Sequence, residues 1–255
     1  PRAMSAALQK VEGSYALALV SLNGEGQVWA TRHSSPLILG LGQGENFVAS
    51  DIPAFLPYTR EVIFLEDNEI VQITPSTCRV LDAWSLEDVD REKVHISWDV
   101  QSAQKSGYRH FMLKEIMEQP RVIQDCMSGR VDLASGRIVL PELDHLPLPR
   151  RLHVVACGTS YHAGLWARNL FQEWAGIPAE IEIASEFRYN PRIIQDGDLV
   201  LAISQSGETA DTLAGMRQAK QQGQRVLGLC NVLGSSIARE ADGVVYTQAG
   251  PEISV

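Results

Sequence analysis

Cysteine is scarce in this sequence and follows no pattern. The 255 residues include only Cys78, Cys126, Cys157 and Cys230, and no two of them form a CxxC pair. A disulfide framework or a cysteine zinc site needs closer clustering, so the scarcity favours a reducing compartment. A signal peptide and an apolar run of membrane length are also absent. We therefore expect a cytoplasmic protein with no membrane partner.

An excess of positive charge is missing too. The formal net charge is -9, which argues against a nucleic-acid surface because a polyanion would be repelled. The glycine-rich stretch 40–44 lacks GxGxxG spacing and precedes a strand-like run, so it predicts a turn rather than a dinucleotide site. The six histidines show no metal-ligand spacing, and His153 is predicted to lie in the core. Neither a metal nor a cofactor is expected.

The first third of the chain has the pattern of a β-rich domain. After a short helix at 3–10, apolar runs separated by short spacers predict closely connected antiparallel strands. Asn23-Gly24 is a strong hairpin signal between two of these runs. The predicted strands cover 15–21, 27–31, 37–41, 47–49, 62–65, 70–73 and 78–81. Charge rises and periodicity fades over 84–108, which we interpret as a linker between domains.

The rest of the chain alternates between strands and helices. A helix is predicted from His110, with Pro120 kinking or restarting it before Met127. Beyond a proline-containing loop region, strands at 152–156, 180–183, 199–203, 225–230 and 243–246 enclose helices at 161–175, 208–222 and 235–240. Such βαβ units predict an α/β fold around a parallel sheet, with ligands at the carboxyl ends of strands.

Two turns rich in hydroxyl groups follow predicted strands of that sheet. One is Cys157-Gly158-Thr159-Ser160, and the other runs from Ser204 through Gln205, Ser206, Gly207 and Glu208 to Thr209. Hydroxyls and free amides at a helix start are suited to a phosphate group. The alternatives are ordinary caps: Ser206 as an N-cap with Glu208 and Thr209 in the first turn, and an αL turn with a capped helix at 157–160. Together the two turns favour a sugar-phosphate site.

Several longer motifs resemble one family. The segments that carry the resemblance are 34–37, 44–51, 108–116, 156–161, 184–189 and 204–213, and the last of these is very specific. Through them the chain is similar, over essentially its whole length, to the glucosamine-6-phosphate synthases, also called glutamine–fructose-6-phosphate aminotransferases (isomerizing).

The resemblance implies two domains. Residues 1–83 would be the C-terminal part of a type-2, N-terminal-nucleophile glutaminase domain, and 84–108 the linker. Residues 109–255 would be a truncated first SIS (sugar isomerase) domain, an α/β sandwich around a parallel sheet. The family uses ammonia from glutamine to convert fructose 6-phosphate into glucosamine 6-phosphate, and it dimerises through its SIS domains. Homodimers are accordingly expected.

The resemblance also assigns residues. Thr159 and Ser160 match the sugar-phosphate site, and the backbone at Val255 falls near the sugar. The phosphate loop of the family corresponds to Ser204, Gln205, Ser206 and Thr209. None of the family's catalytic residues falls within this chain, so we expect an internal piece that binds sugar phosphate weakly and catalyses neither half-reaction. Pro251 and Ser254 stand where the family usually has Thr and Gly, and Pro251 removes an N–H donor and fixes φ in that loop.

Two other functions use the same type of domain. A non-catalytic SIS module that senses sugar phosphates would bind without chemistry, but such regulators usually carry a basic helix-turn-helix region, and none is visible. A related phosphosugar isomerase or deglycase would explain the second half of the chain and leave the glutaminase-like first half unexplained.

Overall fold

The structure is a computed structural model that describes residues 1–21, 26–96, 105–132, 134–190 and 194–254. Asn23-Gly24 and Val255 lie outside the described residues. The chain divides into two compact units: unit 1 contains residues 1–115 and 251–255, and unit 2 contains residues 116–250.

Unit 1 contains two antiparallel sheets, as the short spacers between its apolar runs predict. One sheet has the order β1-β2-β6-β7 and the other the order β4-β3-β5-β8. After the helix α1 (Arg2–Leu8), the strands are β1 (Tyr15–Val20), β2 (Val28–His33), β3 (Ile38–Leu41), β4 (Asn46–Ala49), β5 (Glu61–Phe64), β6 (Glu69–Ile73), β7 (Cys78–Asp82) and β8 (Val94–His95). A single 3-10 turn, Ile52–Ala54, connects β4 to β5.

The segment 84–96, the first half of the predicted linker, is part of unit 1. Val94 pairs with Val62 across β8 and β5, and Ile96 is buried. Arg91 forms ion pairs with Glu66 and with the buried Glu69. Part of the charge that suggested a linker is therefore used in ion pairs with the preceding part of unit 1. The domain boundaries derived from the family resemblance stay predictions.

Unit 2 is built around a parallel sheet of five strands in the order β12-β11-β13-β14-β15. The helix α2 (Phe111–Met127) begins in unit 1, and a small hairpin of β9 (Val131–Asp132) and β10 (Arg137–Ile138) follows it. The remaining elements are β11 (Arg151–Ala156), α3 (Gly158–Trp174), β12 (Ala179–Ile183), α4 (Ala184–Phe187), β13 (Asp198–Ser204), α5 (Ala210–Gln221), β14 (Arg225–Cys230), α6 (Ser236–Glu240) and β15 (Gly243–Tyr246).

Helices cover both faces of this sheet, as an α/β sandwich requires. Side chains alternate between the faces, so Val154 packs in one apolar cluster and its neighbour Val155 in the other. The cluster with Val155 includes Phe187 of α4 and Met216 of α5, and the cluster with Val154 includes Phe171 of α3. The α/β fold with a parallel sheet and a β-rich first part is confirmed.

Several details of unit 2 differ from the predicted elements. The helix α3 begins at Gly158, whose φ of 56° lets the chain turn directly from the strand, and not at Tyr161. The helix α5 begins at Ala210 rather than Glu208, because the preceding residues form the hydroxyl-rich turn. The four-residue helix α4 was not predicted, and Pro120 lies inside α2 without ending it.

Candidate functional site

The order of the strands places a topological switch point at one edge of the sheet in unit 2. From β11 the chain crosses to β12 on one side, and it later returns to β13 on the other side of β11. Helices leave β11 and β13 in opposite directions at such a switch point, which leaves an opening beyond the carboxyl ends of the strands. Ala156 pairs with Ile203, so β11 and β13 end at the same level. The two hydroxyl-rich turns begin there, at Cys157 and Ser204.

The turn after β13 is held by its own hydroxyl groups. The residue Ser204 is 2 % exposed. Its Oγ accepts a hydrogen bond from the amide of Gly207 at 3.0 Å and lies 2.8 Å from the Oγ1 of Thr209. The Oγ of Ser206 accepts from the amide of Glu208 at 3.2 Å. Ser204, Gln205, Ser206 and Thr209 are thus brought together in one compact loop before α5, which we call the phosphate loop (residues 204–209).

The N-cap of α5 is Thr209, and its side chain makes no capping hydrogen bond. Ser206 therefore does not cap the helix, and the alternative interpretation of this turn as a Ser206 capping box is wrong. The physical reason is that the chain bends over residues 205–207 and enters the helix only after the extended Thr209. The first amides of α5 lack intrahelical acceptors, as in every helix, so they remain suited to an anion.

Gly207 sets the shape of the phosphate loop. Its φ is 66°, and a Cβ at this position would lie 2.0 Å from the Oγ of Ser235. No side chain fits between the loop and the segment after β14. The Gly207 carbonyl also accepts from the amide of Ile237 at 3.0 Å, which holds the loop from that side.

The turn after β11 forms the first turn of α3. Cys157 is the N-cap, so Thr159 and Ser160 lie among the residues whose amides have no intrahelical acceptor. Thr159 is exposed and Ser160 is half-buried. The Oγ1 of Thr212 in α5 lies 3.8 Å from the Sγ of Cys157, which places the two helix starts side by side. The structure thus brings Thr159 and Ser160 to the same edge as the phosphate loop.

Residues after β14, which the sequence did not single out, complete the support of the loop. The amide of Asn231 donates to the carbonyl of Gln205 at 2.9 Å, and the amide of Ser236 donates to the Oε1 of Glu208 at 2.7 Å. The rule that ligands bind at strand ends applies to β14 as well as to β13. It could have found Asn231, which follows directly after that strand.

The C-terminal residues 251–254 belong to unit 1, and Val255 lies outside the described residues. There Glu115 accepts hydrogen bonds from the amides of Ile253 and Ser254 and from the Ser254 hydroxyl. Partial burial acts to raise the pKa of Glu115, but these hydrogen bonds outweigh it, and the pKa lies below its usual value. The serine that departs from the family pattern is therefore bound by a carboxylate.

A second concave region lies at the opposite, amino edge of the sheet. This cleft of about 280 Å³ lies beside Pro147, Asp198 and Arg225, at the beginnings of β13 and β14. Asp198 also holds His153 at 3.1 Å, which confirms His153 as a core residue. The cleft has no group of hydroxyls comparable to the phosphate loop. Among the described residues, no cluster of His, Cys, Asp and Glu side chains is placed to hold a metal ion.

The geometry at the carboxyl edge suits the binding of an anion. Hydroxyl groups and the amides at the starts of α3 and α5 donate hydrogen bonds, and a phosphate monoester has several oxygens to accept them. The carboxylate of Glu208 is engaged by Ser236, so its charge is partly compensated within the protein. Within the described ranges, no helix is long and apolar enough to cross a membrane.

Residues 146–255 match the family model of the SIS domain. This segment begins just before β11 and includes both hydroxyl-rich turns. The SIS match therefore covers both the parallel sheet and the candidate site. Curated relatives extend the match over the rest of the chain. The glutamine--fructose-6-phosphate aminotransferase [isomerizing] of Clostridium tetani is 48% identical over 260 residues, which is 99% of this chain and 42% of that protein.

A second relative and a solved structure agree. The enzyme of the same name from Methanosarcina mazei is 47% identical over 98% of this chain and 41% of its own length. The C-terminal domain of glucosamine-fructose-6-phosphate aminotransferase from Francisella tularensis is 43% identical, with a TM-score of 0.55 over 59% of this chain and 42% of that chain. The chain is thus similar over nearly its whole length to glutamine–fructose-6-phosphate aminotransferases, and it spans about two fifths of the length of the curated relatives it matches.

Proposed function

We propose that the chain is the part of a glutamine–fructose-6-phosphate aminotransferase that binds the sugar phosphate. The ligand is fructose 6-phosphate or glucosamine 6-phosphate, and glutamine is the ammonia donor of the complete enzyme. The phosphate lies against Ser204, Gln205, Ser206 and Thr209, with Thr159 and Ser160 on the other side of the crevice. Acting by itself, the 255-residue chain binds without turnover.

The position of the two hydroxyl-rich turns supports this proposal more than any other observation. They follow the adjacent strands β11 and β13, which end at the same level on either side of a topological switch point. Hydroxyls from two separate segments can therefore reach one ligand. Capping of a single helix would not require a second such turn beside it.

A thermal melt with glucosamine 6-phosphate tests the proposal. A ligand that binds only the folded state stabilises it by about 2.7 kcal/mol at a concentration of 100 Kd. We expect the ligand to raise the Tm of the wild type and to shift the Ser206→Ala variant much less. Ser128→Ala, at an exposed position after α2, is the matched control. Equal shifts in both variants would contradict the placement of the phosphate.

We further propose that the protein is a cytoplasmic homodimer formed through the SIS segment. Large aromatic side chains of unit 2 support an interface, since Trp166 in α3 is 68% exposed and Tyr189 after α4 is 74% exposed. The unpaired cysteines agree with a reducing compartment. Light scattering tests the dimer: a dimeric mass is expected for the wild type, and Tyr189→Lys is expected to shift it toward the monomer. A monomeric wild type would contradict the proposal.

A further inference from the structure

Asn231 connects the ends of three strands, through its backbone on one side and its side chain on the other. Asn231 follows β14 directly and is 6% exposed. Its backbone amide donates to Gln205 in the phosphate loop, as described above. Its side chain is directed the other way, to the segment after β15. All of these contacts lie within unit 2.

Every polar atom of the Asn231 side chain is used in that second contact. The Oδ1 accepts from the Thr247 hydroxyl at 2.9 Å and from the Ala249 amide at 2.8 Å, and the Nδ2 donates to the Gly250 carbonyl at 2.5 Å. An amide side chain supplies this pattern at neutral pH, because its oxygen accepts two hydrogen bonds and its nitrogen donates one to the carbonyl. Aspartate has the same shape but replaces the donor with a second acceptor.

The segment that Asn231 holds, residues 247–250, has no regular secondary structure. It follows β15, which pairs with β14 so that Tyr246 lies beside Cys230, and Cys230 in turn lies beside Ser204 of β13. The ends of β13, β14 and β15 are thus level, and residues 247–250 lie at the same edge as the phosphate loop. Without a side chain to fix it, an irregular segment of this kind exchanges among conformations at an entropic cost to binding.

We propose that Asn231 is a positioning residue, which fixes residues 247–250 as a wall of the sugar-phosphate site while its backbone supports the phosphate loop. This inference rests on the proposed function. Asn231 itself does not contact the ligand. The phosphate loop is held by several independent hydrogen bonds, so a change of the Asn231 side chain leaves it in place. The part of the ligand beyond the phosphate therefore depends on Asn231 more than the phosphate does.

The test compares two ligands and three chains by isothermal titration at neutral pH. For Asn231→Asp we expect about tenfold weaker binding of glucosamine 6-phosphate, since loss of the donor to Gly250 removes one hydrogen bond and sets two acceptors against each other. Binding of inorganic phosphate is expected to change less than about twofold. Asn169→Asp, at an exposed position in α3, makes the same change in net charge and is expected to bind both ligands like the wild type.

The pH dependence separates positioning from general damage. A protonated aspartic acid has an O–H that can donate to the Gly250 carbonyl, so the deficit of Asn231→Asp relative to the wild type is expected to shrink as the pH falls toward 5. Equal losses for both ligands, or an unchanged affinity for glucosamine 6-phosphate, would overturn the inference.

A measurement without ligand keeps the inference distinct from the proposed function. Hydrogen exchange of the Ala249 amide is expected to speed up at least tenfold in Asn231→Ala, which removes its acceptor, and to stay unchanged in Asn169→Ala. Unchanged exchange would overturn the role of Asn231 whatever the ligand does. Fast exchange in the variant, combined with a wild type that binds neither ligand, would refute the proposed function and leave the contact itself established.

Discussion

At the scale of single residues, the phosphate loop depends on a position without a side chain. Gly207 combines a positive φ with a backbone that lies against Ser235, and either feature alone would disfavour another residue. Its amide and carbonyl are both used, by Ser204 and Ile237. The sequence placed Gly207 in the hydroxyl-rich turn, but its contact with the segment after β14 depends on the fold and could not be seen.

The first prediction concerns Gly207→Ala. A Cβ in this conformation costs about 1–2 kcal/mol, and the clash with Ser235 adds about 1–3 kcal/mol. We expect a lower Tm and loss of the Tm shift with glucosamine 6-phosphate. Gly223→Ala is the control, because its φ of 78° carries the same backbone cost with no atom within 4 Å of the new Cβ. Ligand binding by Gly207→Ala with the affinity of the wild type would contradict this account of the loop.

The second prediction concerns Asp198, whose side chain is 1% exposed and holds His153. Burial acts to raise the pKa of Asp198, but hydrogen bonds from the Gln195 amide and from His153 lower it below the usual value. Because the folded-state pKa is depressed, this stabilisation is present above the unfolded pKa of about 4 and is lost as the pH falls through the folded value.

Chemical unfolding at several pH values checks this prediction. Asp198→Asn is expected to lower the free energy of unfolding by about 1–3 kcal/mol at pH 7, and the difference from the wild type is expected to shrink below about pH 4. The exposed Asp196 in the same loop supplies the control variant Asp196→Asn, which should leave stability unchanged. A constant difference at all pH values would show that the charge of Asp198 plays no part.

At the scale of elements, the strand β1 differs from the others in unit 1. It lies at the edge of its sheet, and apolar side chains are exposed along it, with Leu19 at 52% and Val20 at 75%. Apolar edge strands of this kind tend to pair with other chains. Its neighbours in the sheet, β2 and β6, are largely buried by contrast.

The third prediction follows from β1. We expect the weight-average mass of the 255-residue chain to rise with concentration, and Leu19→Lys to reduce that rise because a charge at an edge strand opposes pairing. Leu148→Lys is the matched control, since Leu148 is 89% exposed in a loop of unit 2. Sedimentation equilibrium measures the weight-average mass of the wild type and of both variants. Equal association of the two variants would exclude β1 as the surface responsible.

The elements show which parts of the fold a sequence can predict. Strands β14 and β15 have the predicted bounds, since their apolar runs are flanked by glycine or charged residues. The starts of α3 and α5 were missed by two or three residues because their first turns take part in the site. The helix α4 has four residues, too few to show a helical period. Strand order depends on pairing between distant segments and had no local signal.

At the scale of the whole molecule, each unit has its own apolar clusters. Leu39 and Val71 lie in a cluster of unit 1, while Val200 and Met216 lie in a cluster of unit 2. The described residues of the candidate site lie in unit 2. Units with separate cores can unfold as separate cooperative steps.

The fourth prediction uses this division. In differential scanning calorimetry we expect glucosamine 6-phosphate to raise the transition of unit 2 and to leave the transition of unit 1 nearly unchanged, because the proposed phosphate contacts all lie in unit 2. Hydrogen exchange assigns each transition to its unit. An equal shift of both transitions would mean that the ligand requires both units.

A crystal structure of the chain with glucosamine 6-phosphate tests the central claim most directly. The account predicts the phosphate at the carboxyl edge of the parallel sheet, within hydrogen-bond distance of the hydroxyls of Ser204, Ser206 and Thr209. Density for the ligand in the cleft at the amino edge, beside Pro147 and Arg225, would contradict it. In that case the hydroxyl-rich turns would be helix starts and nothing more.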